Sequence, residues 1–444
     1  MAYKLFSLDR SYLENNLKIL TILGSLPLSI TGLWNPYNGR PKWLYHIYTI
    51  LIPLFLMPFR SMGFLRQGVL MRHDFIESTL SLVVGLSYIY GWVKMLNFVL
   101  HRANIELLSN VLNQERWLPC SKETAQYRNE VISHTIRVTT IFTLLWICEI
   151  FICLPFFYMD EFMKSNITYE DLAIRFAVNE NFFVGMNLRI VSILDCLLAT
   201  LIAAATVSND CCCLCQMYHI TNQLRLLNFR LRQCCSIDID FQKIETSKKS
   251  HTFNFECGYI YSQKSDLTSV GEFICCIQHY QSIVRMVKII NKVYGPILLP
   301  QLMTSMMTIS FAAIHILVTK TVTFEEPGSA LFIIAGATSC LVQLSAYCWG
   351  GDGIIMESNR TSTAIYTCIW YEQDPKFHAN LKIFVSMCRN TLVVNAYGLF
   401  DLSLVTLKNI RFVSGLIQAL LMECSIACSI GDVRLYFCGI CRCE

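Results

Sequence analysis

Runs of about twenty mostly apolar residues recur along this 444-residue chain, at roughly 43–63, 76–100, 131–157, 187–208, 293–319 and 328–349, with a last one inside 383–422. A helix of that length crosses the hydrocarbon of a bilayer, where every backbone polar group must find its partner within the segment. The spacing therefore predicts an all-α integral membrane protein with seven transmembrane helices. Asp401, Lys408 and Arg411 interrupt the last run, so it reads either as one broken helix or as two short spans. Composition agrees, at 54% hydrophobic and 15% charged residues against about 25% charged in a soluble domain.

A net charge of +4 is too mild to argue for nucleic acid. The opening "MAYKLFSLDRSYLENNLKIL" carries Lys4, Asp9, Arg10 and Glu14 where a cleavable signal peptide needs an apolar core, so the first span is expected to direct its own insertion. The 22 cysteines fall largely inside apolar runs such as "ICEIFIC" and "NDCCCLC", where they read as reduced, small hydrophobes.

Twenty Lys and Arg flank the spans on the side shared by the N-terminus and the even connections, and seven flank them on the other side. That bias puts the N-terminus in the cytoplasm. This orientation is opposite to that of G-protein-coupled receptors. Their signatures are missing too: no Asp-Arg-Tyr closes the third span, and the one Asn-Pro-aromatic, Asn35 to Tyr37, precedes the first. Two sequons, at Asn166 and Asn359, face opposite sides of the membrane in this topology, and charge selects Asn166 for glycosylation.

The segment "YCWGGDGIIMES", residues 347–358, leaves an apolar run through two aromatics and crosses a Gly-Gly-Asp-Gly. It reads as a kinked, hydrated exit from the sixth span, with Gly350, Gly351 and Gly353 supplying backbone freedom, Asp352 capping exposed amides, and Tyr347 and Trp349 at headgroup level. An ordinary interfacial loop would use the same residues. Its continuation, "QLSAYCWGGDGIIMESNRTSTAIYTCIWYEQDPKFHANLKIFVSMCRNTLVVNAYGLFDLSLVTLKNI", residues 343–410, resembles the C-terminal pattern of the insect odorant receptor family, ligand-gated cation channel subunits. Weaker resemblances lie in "LKILTILGSLPLSITGLWNP" and in "GEFICCIQHYQSIVRMVKIINKVYGPILLPQLM", where His279 matches a cytoplasmic histidine of the family. After Ile410 the likeness ends, and the chain runs on where family members finish.

The resemblance implies a cytoplasmic N-terminal segment at 1–42, a ligand-binding bundle of four spans at 43–216, a cytoplasmic loop with anchor helices at 217–290, and spans five and six at 291–350. A cytoplasmic anchor at 351–390, a pore helix at 391–422 and an atypical tail at 423–444 complete it. His279, Tyr347, Trp349, Tyr366, Trp370 and Tyr371 would serve the anchor, where four subunits meet. The implied ligand is a small volatile apolar molecule, held in the outer half of the bundle. Its expected walls are Ser81, Gly85 and Tyr88 from span two, Trp146, Ile150 and Pro155 from span three, and Met186, Ile190 and Ile193 from span four. Phe332, Ile333 and Gly336 from span six join them, with His315 as a hydrogen-bonding group. Any one of these side chains also fits simple packing. Pore-facing positions are Thr406, Asn409, Val413, Gln418 and Leu420. The partners implied are the shared odorant co-receptor subunit, in a heterotetrameric channel, and membrane lipid, in the plasma membrane of olfactory sensory neurons.

Ionisable groups inside spans are costly, so they carry separate expectations. Lys94 and Arg137 sit near enough to the cytoplasmic ends to snorkel, Glu149 and Asp195 lie deeper, and Arg189 is the expected partner of Glu149. No catalytic constellation is present, neither HExxH, GxSxG nor GxxxxGK[ST], and the CxxC spacings at 212–215 and 438–441 lack the second pair that zinc would need. No cofactor or metal is expected, and the chain reads as no enzyme. A gustatory receptor channel of the same architecture and a small-solute transporter stay open as alternatives. The first usually ends in a TYxxxxxQF-type motif, and the second has internal repeats; the sequence has neither.

Overall fold

The computed structural model describes residues 57–71, 75–113, 122–163, 187–234, 269–318 and 327–409. Nearly all of these residues are helical: α1 (Met57–Leu70), α2 (Phe75–Leu100), α3 (Arg102–Asn113), α4 (Lys122–Met163), α5 (Leu188–Gln233), α6 (Ser269–Val318), α7 (Pro327–Thr367) and α8 (Pro375–Cys388). A 3-10 turn at Trp370–Glu372 precedes α8, and the strands β1 (Asn395–Ala396) and β2 (Phe400–Asp401) follow it. A further helix begins at 404–409.

Four helical stretches among the described residues are long and apolar enough to cross a membrane: Ser81–Leu100, Leu188–Gln233, Val270–Ala313 and Ile333–Thr367. Length sets three of them apart from ordinary spans. With 46 and 50 residues, α5 and α6 extend about 70 and 75 Å at 1.5 Å per residue, more than twice the hydrocarbon thickness. They therefore run well beyond the expected spans at 187–208 and 293–319 as rigid extensions. Asn187 opens α5 by accepting a hydrogen bond from the Arg189 backbone N–H at 3.1 Å, and Pro375 occupies the first turn of α8, where its missing N–H costs nothing.

Helices α5 and α7 lie alongside each other, α4 packs on both, α6 packs on α2, α5 and α7, and α1 lies against α2. Burial changes along α5. Its first turns expose Ile190, Ile193, Leu194, Leu197 and Leu201, whereas from Ser208 to Leu231 nearly every side chain is buried. Exposed apolar residues on α4 (Ile141, Leu144, Leu145), α6 (Met303, Met307) and α7 (Ile334, Val342) continue that outer surface, which suits contact with lipid tails. Beyond it, Leu224, Leu227, Phe273, Tyr280, Ile283, Phe377 and Phe384 form a closed aliphatic and aromatic core, with the Phe273 ring 4.4 Å from that of Phe377.

Two features correct the sequence reading. The Gly-Gly-Asp-Gly is no kink: α7 passes through Gly350, Gly351 and Gly353 without interruption as far as Thr367. The glycines serve approach rather than freedom, since a Cβ on Gly351 would fall 2.3 Å from the Leu402 carbonyl oxygen. The expected pore helix does not begin at 391 either. Residues 395–401 form an antiparallel hairpin pairing Asn395 with Asp401 and Ala396 with Phe400. Successive positive φ angles at Tyr397 (55°) and Gly398 (74°) give the tight turn that suits hairpin twist. The left-handed conformation costs a residue with a Cβ about 1–2 kcal/mol. Asn395 helps to hold the turn by accepting from the Gly398 N–H at 3.0 Å. Asn291 of α6 fixes the hairpin from outside: its amide donates to the Val393 carbonyl at 2.9 Å and its oxygen accepts from the Asn395 N–H at 3.1 Å.

Candidate functional site

Among the described residues, the expected ligand-binding positions face different neighbours. On α2, Ser81 and Gly85 are buried, but a Cβ on Gly85 would meet Leu65 of α1 at 3.2 Å, and the Tyr88 ring stacks on Phe64 of α1 at 5.6 Å. That face of α2 therefore looks toward α1. Ile190 and Ile193 lie on the exposed side of α5, while Ser192 and Asp195 take the buried side. On α7, Ile333 is buried and Gly336 has open space where a Cβ would stand. Trp146, Ile150 and Pro155 belong to α4, His315 to α6 and Phe332 to α7, with side chains outside the described set; Met186, Val413, Gln418, Leu420 and Asn166 lie outside the described residues altogether.

A buried ion pair joins α1 to α5. Arg60 of α1 donates to the Asp195 carboxylate of α5, and both side chains are nearly inaccessible. The guanidinium carbon lies 5.4 Å from the Tyr88 ring centre and 5.9 Å from that of Phe64, within cation–π range. The partner of Asp195 thus comes from the first span, at a position that the sequence reading passed over. An arginine inside the run at 43–63 was the available signal, by the same rule that picked out Glu149. The Glu149 side chain lies outside the described set.

The second polar centre is larger. Lys94 does not snorkel: it is buried, pairs with the Asp210 carboxylate of α5 and sits 4.6 Å from the Tyr90 ring centre. The same carboxylate accepts from the Gln343 amide and, at 2.5 Å, from the Tyr347 hydroxyl, both on α7. The Gln343 oxygen accepts in turn from the Gln301 amide of α6 at 2.8 Å, and Gln301 also donates to Ser305 at 2.9 Å. Helices α2 and α7 thus meet on one buried carboxylate of α5, and α6 joins them through Gln343. Tyr347 is accordingly a core residue rather than a headgroup anchor, whereas Trp349 is partly exposed and stacks on Tyr218 at 5.5 Å. Around these groups α2 donates twice to α6 backbone carbonyls, Tyr90 to Ile297 at 3.2 Å and Asn97 to Val293 at 2.8 Å. These contacts bracket Pro296, one of two prolines inside α6.

Further along α5 and α7, Glu357 of α7 is buried and accepts from Arg225 at 3.2 Å and Arg360 at 2.9 Å, with Asn228 reaching its backbone oxygen at 3.0 Å. His279 is fully buried, its Nε2 3.1 Å from the Gln223 oxygen. Tyr366 and Tyr371 are exposed and Trp370 is half-buried. Asn359 is exposed, and its side-chain oxygen accepts from the Thr391 hydroxyl at 2.7 Å.

The start of the last helix is fastened to α7. The Leu402 N–H donates to the Val394 oxygen at 2.8 Å, closing the hairpin, and Ser403 accepts from the Thr406 N–H at 3.1 Å as a helix cap. Asp352 accepts from the Leu404 N–H at 3.4 Å. The aspartate does satisfy a helix-end amide, but that of another helix. Thr406 donates to the Asp401 oxygen at 2.6 Å, and Asn409 is exposed. Among the described residues no group of three or more His, Cys, Asp or Glu is arranged to hold a metal.

Comparison with known proteins bears on this arrangement as a whole. The family model described as 7tm Odorant receptor matches residues 74–413. The odorant receptor coreceptor of Anopheles gambiae is 27% identical over 128 residues, covering 29% of this chain and 26% of that protein. The Harpegnathos saltator coreceptor is 21% identical over 179 residues, covering 38% and 36%. The match thus spans between a quarter and two fifths of the length of these curated relatives. Among solved structures, the insect olfactory receptor OR5 from Machilis hrabei, in complex with eugenol, superposes with a TM-score of 0.70 over 93% of this chain and 98% of that one, at 13% identity. Without that ligand it gives 0.68 at 14% identity.

Proposed function

This chain belongs to the odorant receptor family, and on that premise we propose that it binds a small volatile apolar ligand in the outer half of its bundle and gates a non-selective cation pore together with the shared co-receptor subunit. Membership makes it a membrane receptor of the olfactory class. The proposal adds an N-terminus in the cytoplasm, seven spans, and residence in the plasma membrane of olfactory sensory neurons.

The observation that carries the reading is the family match over residues 74–413, which takes in every described helix from α2 to the start of the last one. The split in burial supports it. A lipid-facing outer bundle gives an apolar molecule both a route and a site, and the closed inner core gives subunits a rigid body to assemble on. In this reading Ile333, Gly336 and the outer turns of α4 and α5 contribute to the ligand wall, Thr406 and Asn409 open the pore-facing stripe, and Tyr366, Trp370 and Tyr371 meet a neighbouring subunit. Ligand binding would act by favouring the state with a wider last helix.

The test is current in cells expressing the chain with and without the co-receptor, across a panel of volatiles that includes eugenol, with surface protein measured in parallel. A cation current evoked only in co-expressing cells is the expected result. Surface-delivered protein silent across the panel in both conditions would overturn the receptor-channel reading. Glycosylation is expected at Asn166 and not at Asn359, and a glycan on Asn359 would overturn the orientation.

A further inference from the structure

One face of α7 carries two unlike sets of residues a turn apart. Gln343 and Tyr347 end on the Asp210 carboxylate that Lys94 also neutralises. One turn further, on the same side of the helix, Gly351 presses on Leu402. A Cβ there would lie 2.3 Å from the Leu402 oxygen, 2.6 Å from its Cβ and 3.0 Å from its carbonyl carbon. Beside it, Asp352 accepts from the Leu404 N–H. Leu402 itself is fully buried. The polar cluster and the first residues of the last helix are therefore joined by a single rigid turn of α7.

The cluster has the properties of a register lock. A buried carboxylate with one ammonium, one amide and one hydroxyl donor has few alternative arrangements, because moving any donor leaves a buried charge short of a partner. Asn209 adds to it by donating to the Lys94 backbone oxygen at 3.2 Å, and the Gln301–Gln343 bond ties in α6. Sliding or rotating α7 by a fraction of a turn would break the bonds of Gln343 and Tyr347 together. Any such movement would also shift the glycine surface against which Leu402 rests.

We propose that Lys94, Asp210, Gln343 and Tyr347 form a positioning cluster that fixes α7 against α2 and α5, and through the Gly351–Leu402 contact sets both the placement of the last helix and the balance between closed and open pore. The part concerning the pore rests on the function proposed above; the part concerning placement of the last helix does not.

The test uses the full-length chain with Tyr347→Phe, which removes one hydroxyl, and Gln343→Met, which keeps the length of the side chain without its amide. Tyr90→Phe is the control, because it keeps the ring beside Lys94 and removes only the buried hydroxyl bond to the Ile297 carbonyl of α6. Hydrogen exchange of the purified proteins is followed at the amides of residues 402–406, and in co-expressing cells the ratio of ligand-free to maximal odorant-evoked current is taken at matched surface protein. Either cluster variant should raise exchange at 402–406 by about tenfold, the scale of losing a bond to a charged group, and should change the current ratio severalfold, while Tyr90→Phe moves neither. Unchanged exchange at 402–406 in whichever cluster variant folds would overturn the positioning role, as would equal effects in the control. Altered exchange with an unaltered current ratio would overturn the link to the pore. A wild-type chain without current would count against the receptor-channel reading, and the exchange result would still decide the placement of the last helix.

Discussion

Replacing Gly351 by alanine tests the close approach of α7 to Leu402. The added methyl would sit 2.3 Å from a backbone carbonyl oxygen, about 1 Å short of the 3.4 Å at which ordinary contact begins. Neither side yields easily: the oxygen belongs to the backbone of Leu402, held by the hairpin bond to Val394, and the methyl is fixed to α7. The two segments must part by that distance, at a cost of about 1–3 kcal/mol for overpacking, against which alanine returns about 0.5–1 kcal/mol of helix propensity. The net loss of about 1–2 kcal/mol is a factor of about 5–30 in the folded population. Thermal unfolding of the purified chain in detergent should show it as a lowered midpoint. Gly350→Ala is the internal comparison: its Cβ would meet the Met217 sulfur at 3.1 Å, and that flexible thioether can swing aside, so a loss below about 1 kcal/mol is expected. Equal midpoints for Gly351→Ala and Gly350→Ala would refute the close approach of α7 to Leu402.

Three further outcomes are expected. Asp195→Ala takes the carboxylate from a buried guanidinium and should cost about 3–5 kcal/mol, seen as lost surface delivery, while the double change Arg60→Met with Asp195→Leu recovers most of it; no recovery would mean that the two side chains are not each other's partners. Burial pushes the Cys388 thiol up to about 12, so its alkylation, read by peptide mass spectrometry on the folded chain, should be slow at neutral pH and climb about tenfold per pH unit through pH 10 as thiolate forms; a plateau near pH 9 would contradict that environment. Gly336→Ala meets nothing within 4 Å, so it should leave folding and delivery intact, and a changed odorant concentration–response would then report the ligand site itself; an unchanged response removes Gly336 from that site.

The spans were legible because a bilayer imposes a length and a polarity on each one, and α2, α5, α6 and α7 lie over four of the seven apolar runs that the sequence showed. Partners across helices were not legible. Helical spacing correctly puts Ser81, Gly85 and Tyr88 on one face of α2, yet it is silent on which neighbour that face meets, and the neighbour is α1. Asp195 was recognisable as a costly charge; its pairing with Arg60 depends on how the first and fourth apolar runs come together. The three glycines around Asp352 carried two meanings, freedom or proximity, and only the position of Leu402 decides between them. The hairpin escaped for a different reason, since two-residue strands leave no period to read and the turn depends on Tyr397 accepting a positive φ.

The change in burial along α5 gives the chain two different tolerances for mutation. At Leu197, which is 57% exposed, a new apolar side chain exchanges one lipid contact for another. At Leu227, which is fully buried, truncation to alanine opens a cavity that costs about 2–5 kcal/mol. Thirty residues on a single helix thus separate a surface where sequence can drift at little cost from one where nearly every change is felt. If the ligand and the subunit contacts lie where the proposed function puts them, a receptor with this gradient acquires new chemical tastes at one end while the other end keeps the shape by which copies recognise one another.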